Sequence, residues 1–256
     1  MGVLQGQTAW ITGGGGGIGE AGARALAASG AHVVLSGRRV DEVERVAAEI
    51  TATGGSAEAA ALDVVDADAT QAIADDLVSR HGGVDILFAN AGINIPNRYT
   101  ADVTAADFAK VVDINLTGVM NCALAVLPGM RAKGRGTLIL TSSWAGRYPS
   151  RLTGPAYSSS KHAVVALSHS INQDEGQNGI RCTALMPGEV VTPILNSRPK
   201  PPSPEDQAKM LQADDMGDLV RYIAEAPPHM CLNEVLVSPT YNRAFYGVAE
   251  LGGKTL

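Results

Sequence analysis

The sequence predicts an α/β protein, a three-layer, doubly wound parallel sheet with helices on both faces. Three observations predict it. Short apolar runs alternate with amphipathic stretches along nearly the whole chain. A run of glycines joins the first apolar run to the first amphipathic one. The 256 residues, 45% hydrophobic and 18% charged, can fill a core without disulfides or a structural metal.

The elements follow in order. Residues 8–11 (TAWI) read as a strand, and the alanine-rich 18–29 as a helix that Gly30 ends. Residues 31–35 (AHVVL) are a β-branched, buried strand. Residues 41–53 are a helix closed by Gly54 and Gly55, 57–62 a weak strand, 67–80 a helix and 84–89 (VDILFA) a buried strand. A long helix is expected over 104–131, with Pro128 near its end. Residues 136–141 (GTLILT) are a strand, 156–173 a helix and 180–185 a strand. Residues 186–204 break the rhythm, with five prolines between Pro193 and Pro204, which marks a functional loop. A helix over 215–225 and a strand over 234–237 complete the sheet. No composition break or fixed-period repeat divides the chain, so residues 1–256 are expected to form one domain with a substrate loop at about 188–213.

Composition excludes several roles. A net charge of −6 and a pI near 5.3 argue against a basic nucleic-acid surface or a polybasic membrane anchor. Cys122, Cys182 and Cys231 lie far apart with no CxxC spacing, so buried reduced thiols are expected and no metal site is. No uninterrupted apolar run reaches the ~18 residues of a membrane helix. The opening MGVLQGQTAW has no basic region ahead of a long apolar stretch, and Gly6 stands where a myristoylation signal needs Ser or Thr. A soluble protein in a reducing, cytoplasmic compartment is the expectation. Glycine is the outlier, 29 in all, seven of them between Gly13 and Gly22.

Glycine between a strand and a helix lets the backbone adopt positive φ and approach a ligand closely. The helix behind it offers unpaired N–H groups and the positive end of its dipole to a phosphate. The spacing is Thr12-Gly13-x-x-x-Gly17-Ile18-Gly19. Further motifs follow: Asn90-Ala91-Gly92 in ANAG, Asn115 in DINLTG, Ser143 in TSSWAG, Tyr157 and Lys161 in YSSSK, and Pro187-Gly188 with Val190 and Thr192 in PGEVVT. In this order they resemble the short-chain dehydrogenase/reductase family, from about residue 7 to 237. The resemblance implies a Rossmann fold and a nicotinamide cofactor.

Tyr157 and Lys161 stand four residues apart, on one helix face. A free tyrosine, with a pKa near 10, is a poor base at neutral pH; a nearby ammonium favours its phenolate and makes it a usable general acid–base. The resemblance implies that Tyr157 exchanges a proton with the substrate oxygen and that Ser143 hydrogen-bonds that oxygen. It implies that Lys161 lowers the pKa of Tyr157 and holds the nicotinamide ribose, and that Asn115 supports a water leading to Lys161. Ser143 is preferred over Ser142 because Gly146 follows it at the family's spacing.

For the cofactor, Gly37 occupies the position after the second strand where NAD users carry an acid. Arg38 follows and offers a guanidinium to a 2′-phosphate, assisted by Ser36. The glycine loop carries no second basic residue, which counts the other way. NADP(H) is favoured and NAD(H) is the alternative. Gly13, Gly17, Ile18, Gly19, Asn90, Ala91, Gly92, Tyr157, Lys161, Pro187, Gly188, Val190 and Thr192 are the remaining expected cofactor contacts, with Asp63 and Val64 at the adenine.

The resemblance places the substrate beside Tyr157, near Trp144, Tyr148, Asn94, Ile95, Glu189 and residues 193–211. Arg147 and Arg151 are either anion readers or, as favoured, solvated or subunit-contact residues. Glu189, if it faces the substrate, admits a polyol, sugar or amine. The expected activity is NADP(H)-dependent interconversion of a secondary alcohol and a ketone. The alternatives are an NAD-dependent alcohol, polyol or sugar dehydrogenase, a non-catalytic cofactor-binding sensor, and a dehydratase or epimerase. A homotetramer or homodimer, built on the long helices, is implied. The ending NEVLVSPTYNRAFYG lacks the Gly-Gly of many relatives, which sets contacts through the tail apart from that pattern.

Overall fold

The computed structural model describes residues 2–243 and 245. Its strands are β1 (Thr8–Thr12), β2 (His32–Gly37), β3 (Ser56–Ala61), β4 (Ile86–Ala89), β5 (Gly136–Thr141), β6 (Ile180–Pro187) and β7 (Glu234–Val237). They form one parallel sheet in the order β3-β2-β1-β4-β5-β6-β7. The order reverses direction beside β1, between its neighbours β2 and β4. That switch point opens a crevice at the carboxyl ends of the strands.

Alternation along the strands fills the two faces. Trp10, Val34, Leu87, Leu138 and Cys182 point to one side and pack with Leu77, Cys122, Val126, Val164 and Ile171. Those partners come from α3 (Ala67–His81), α5 (Gly118–Lys133) and α6 (Gly154–Glu175). Ile11, Val33, Leu35, Phe88, Ile139 and Leu185 point to the other. There they meet α1 (Gly17–Ala28), α2 (Val40–Ala52) and α8 (Ala213–Glu225) through Leu26, Val43, Val46, Ile50, Val220 and Ile223. Both faces are covered, as the near-continuous apolar strands require.

The expected long helix is three pieces. α4 (Ala105–Val112) starts at Thr104, whose hydroxyl accepts the Asp107 amide at 3.0 Å. A π-helical turn, Asp113–Thr117, then carries Asn115, and α5 continues to Gly134. Residues 105–133 are apolar enough on average to cross a membrane by length and composition alone, which no single uninterrupted run suggested. In the fold Cys122, Ala123, Val126, Leu127 and Met130 are buried in the core. The proline-rich loop is also more ordered than its sequence suggests, with a 3-10 turn (Pro193–Ser197) and α7 (Pro204–Gln207) capped by Ser203. Beyond residue 243 only Phe245 is described, so the tail contacts expected there lie outside the described residues.

Candidate active site

The carboxyl ends of β1, β4 and β5 are tied together by polar side chains. The Thr12 hydroxyl accepts the backbone N–H groups of Asn90 and Ala91, each at 3.2 Å. The Asn90 amide donates to the Gly13 carbonyl at 3.4 Å and accepts from Thr141 at 3.2 Å. Asn90 therefore spends its side chain on the scaffold and turns its backbone to the crevice. α1 begins behind this junction. Gly17 holds φ at +55°, and a Cβ there would stand 3.0 Å from the Thr192 methyl. A Cβ on Gly19 would lie 2.2 Å from the Gly13 carbonyl oxygen. α1 has no side-chain cap, so its first N–H groups remain available to a ligand. A cradle with no room for side chains beneath an open helix N-terminus fits the pyrophosphate of a dinucleotide.

The crevice, about 440 Å³, runs from this cradle to the tip of β2 in one direction and to Tyr157 in the other. Gly13, Gly17, Ile18, Arg38, Asp63, Val64, Asn90, Ala91, Gly92, Pro187, Gly188, Val190 and Thr192 line it. Gly19 does not; it is the packing floor under Gly13. Ser36 is a correction. It is fully buried, and its hydroxyl accepts the Trp10 indole N–H at 2.9 Å, so it is turned away from any 2′-phosphate. Arg39, not expected at the site, lines it instead, with one guanidinium nitrogen 3.9 Å from where a Gly16 Cβ would be. Arg38 is more than half exposed, its guanidinium 3.9 Å from Asp63.

At the other end, Ser143, Tyr157 and Lys161 come together. Ser142 faces inward, donating to the Lys161 carbonyl at 2.7 Å, whereas Ser143 lines the crevice with Tyr157 and its hydroxyl accepts the Ala145 amide at 3.1 Å. Lys161 is buried, donates Nζ to the Thr141 carbonyl at 2.7 Å and lies 5.7 Å from the Tyr157 ring centroid. Burial pushes its pKa down to about 8. Gly92 makes room for it, since a Cβ there would stand 3.2 Å from Nζ. Burial pushes the Tyr157 phenol up; the Ser143 hydroxyl and the charges of Arg198 and Arg98 pull it down, and burial prevails. Asn115 is wholly buried and outside the crevice lining. Its amide accepts from Ile93 N–H at 2.8 Å and donates to Ile93 O at 3.0 Å and Ser160 Oγ at 3.2 Å. It fixes the segment after Gly92, which the π-helical turn brings within reach.

The substrate side departs further from the sequence expectation. Asn94, Glu189 and residues 193–195, 197 and 198 line the crevice, while Trp144, Tyr148 and Ile95 do not. Trp144 packs against Tyr148 and Phe245. Glu189 is not free for a polyol or amine. It accepts Arg198 at 2.6 Å and a two-point pair from Arg243 at 2.7 and 2.8 Å. These cations hold its carboxyl below the usual range against the opposing effect of burial. Arg147 and Arg151 are exposed and absent from the lining, with Arg151 over the Tyr99 ring. On the substrate side, the arginines that line the crevice are Arg98 and Arg198. The signal for them was present: both lie in segments, after Gly92 and within 193–211, that the resemblance assigns to the substrate pocket.

Far from the crevice, His32, Glu58 and His81 bring possible metal-ligand atoms within 4.8 Å of one another. Arg80 already fills this position, donating to both Glu58 oxygens at 2.7 and 2.8 Å and contacting the His81 ring nitrogen at 3.0 Å.

Comparison with known proteins agrees with this geometry. Residues 7–202 match the family described as short chain dehydrogenase. A Listeria innocua protein, "Uncharacterized oxidoreductase Lin0452", is 33% identical over 90% of this chain and 95% of its own. Glycine betaine reductase ATRR of Emericella nidulans is 32% identical over 93% of this chain, which spans only 19% of that protein. A metagenomic short-chain oxidoreductase solved in complex with NADP superposes with a TM-score of 0.81 at 33% identity, over 93% of this chain and 99% of its own.

Proposed function

The chain belongs to the short chain dehydrogenase family and is an NAD(P)-dependent dehydrogenase or reductase, and from that premise we propose that it interconverts a secondary alcohol and a ketone, with NADP(H) preferred. The observation that carries the reading is that Ser143, Tyr157 and buried Lys161 line one end of a glycine-floored crevice together. The nicotinamide, when bound, supplies or accepts the hydride. Tyr157 donates its phenolic proton to the carbonyl oxygen in reduction and takes a proton from the hydroxyl in oxidation. Ser143 holds that oxygen. Lys161 stands behind the phenol, and Asn115 positions the Gly92–Ile93 backbone beside it.

Preference for NADP(H) is supported by the missing acid at Gly37, by Arg38 and Arg39 along the crevice, and by the NADP bound to the metagenomic relative. The two buried unpaired thiols, Cys122 and Cys182, accord with a reducing, cytoplasmic location. Exposed Phe108 on α4 and Leu124 on α5 accord with a homotetramer or homodimer formed through these helices.

The test is a panel of alcohols and ketones assayed with both cofactors in both directions. We expect turnover with a higher kcat/KM for NADPH than for NADH. Tyr157→Phe should bind NADPH, followed by nicotinamide fluorescence, with kcat lowered by about 10² or more. Near-normal turnover in that variant, or none by the parent on any substrate, overturns the proposal.

A further inference from the structure

One cation in the crevice has no acid to balance it among the described residues. Arg98 is only 4% exposed. Its Nε donates to the Ile95 carbonyl at 2.7 Å, and one terminal nitrogen donates to the Ser197 carbonyl and, at 3.1 Å, to the Ser197 hydroxyl. The other terminal nitrogen has only a 3.5 Å contact with the Leu152 carbonyl. All four acceptors are neutral. A guanidinium has five N–H donors and does not deprotonate in proteins, so a buried arginine is ordinarily paired with an anion. Here at least one N–H on the weakly bound nitrogen is uncommitted.

Arg198 stands on the same wall. It ends the 3-10 turn of the proline-rich loop with a side chain 15% exposed. One terminal nitrogen meets Glu189, and the Nε and the other terminal nitrogen have no partner among the described residues. Glu189 also serves Arg243, so it is not Arg198's alone. Burial disfavours the charge of Arg98, the charge of Arg198 adds to that effect, and among the described residues no carboxylate hydrogen-bonds Arg98. Both charges reach the Tyr157 phenol.

We propose that the substrate is an oxo acid or hydroxy acid whose carboxylate is the missing counter-ion, held by Arg98 and Arg198 while its carbonyl or carbinol oxygen meets Ser143 and Tyr157. The proposal rests on the oxidoreductase reading above and narrows it to acidic substrates. Free N–H groups from two guanidiniums suit the two oxygens of a carboxylate. The Ser197 contacts of Arg98 tie the loop that carries Arg198 to the segment after Gly92.

The experiment compares short oxo acids, with the ketone at increasing distance from the carboxyl, with their methyl esters. The parent should prefer an acid to its ester by about tenfold or more in kcat/KM. Arg198→Gln should lower kcat/KM for the acid at least about tenfold more than for the ester, mainly through KM, and Arg198→Lys should recover part of the difference. Arg98→Gln removes a buried strut that joins three segments, so Arg198 carries the test if that variant fails to fold. A second readout is independent of turnover: calorimetric binding of a saturated carboxylate, with no reducible carbonyl, to the NADPH-loaded protein. It should weaken about tenfold in Arg198→Gln. Esters turned over as well as acids overturn the acidic substrate and leave the oxidoreductase reading standing. Equal carboxylate binding by parent and variant overturns the role of Arg198. If neither acids nor esters are turned over, the acidic substrate is overturned, the alcohol and ketone panel above decides the secondary-alcohol reading, and the carboxylate arm still decides the anion site.

Discussion

Lys161→Met, studied for stability and not for activity, isolates the cost of the buried ammonium. Lys161 is 2% exposed, and burial lowers its pKa from the ordinary 10.5 to about 8. At ~1.4 kcal/mol per pH unit, that gap corresponds to about 3 kcal/mol of destabilisation while the group stays charged. The sign follows from proton counts. Below about pH 8 the folded and unfolded chains both hold the proton, and the full penalty stands. Between about 8 and 10.5 the unfolded chain still holds it while the folded chain sheds it, so stability rises with pH. Urea unfolding of the cofactor-free protein, parent against variant, should show the parent gaining about 2 kcal/mol on the variant between pH 7 and pH 10. Loss of the Thr141 hydrogen bond in the variant adds a pH-independent offset and leaves the slope intact. A difference that stays flat across this range refutes the assignment of a strongly desolvated ammonium to Lys161.

The paired serines separate scaffold from chemistry. Ser142→Ala strips the Lys161 carbonyl of its buried donor and should cost about 1–3 kcal/mol of stability in denaturant melts while keeping most turnover. Ser143→Ala should keep its melting temperature and lose about 10²-fold in kcat; the reverse pattern sinks the assignment. Gly19→Ala puts a Cβ 2.2 Å from the Gly13 oxygen, so NADPH affinity should fall by about 10² or more in fluorescence titrations, and an unchanged Kd refutes the cradle. Arg198 draws the Tyr157 pKa down, so Arg198→Gln should move the acidic limb of the oxidation rate with a neutral alcohol to higher pH. Arg147→Gln, on the exposed surface, serves as the control that does not move the limb.

The fold was legible because each buried strand is a short apolar run bounded by glycine or a capping residue. β5 and β7 begin and end where the sequence pattern places them. The break at Asp113–Thr117 was not, because no proline or glycine interrupts that stretch and a π-helical turn leaves no compositional trace. Among the site residues, motif order picks out Ser143, Tyr157 and Lys161, which the fold brings together along the crevice. Ser36 was misread because nothing in the strand pattern says that its hydroxyl serves the Trp10 indole. Arg98 and Arg198 escaped for a different reason. Arg98 and Ser197 are 99 residues apart in the chain, and only the folded loop brings them into contact. Arg147 and Arg151 are nearer Tyr157 in sequence yet stand exposed, outside the crevice lining.

The site holds two buried cations of different kinds, and the difference governs its behaviour. The ammonium of Lys161, brought to about 8, begins to lose its charge just above neutrality, so its influence on its surroundings fades as pH rises. The guanidinium of Arg98 keeps its charge throughout that range, even though burial weakens its hold on the proton. The field that favours the Tyr157 phenolate therefore persists above pH 8 through Arg98 and Arg198. An anion seated between them neutralises part of that field and leaves the phenol more firmly protonated. A protonated phenol is the state that donates to a carbonyl oxygen. Binding of an acidic ketone thus prepares the proton donor that its own reduction needs, and this coupling gives the unbalanced charge of Arg98 a use.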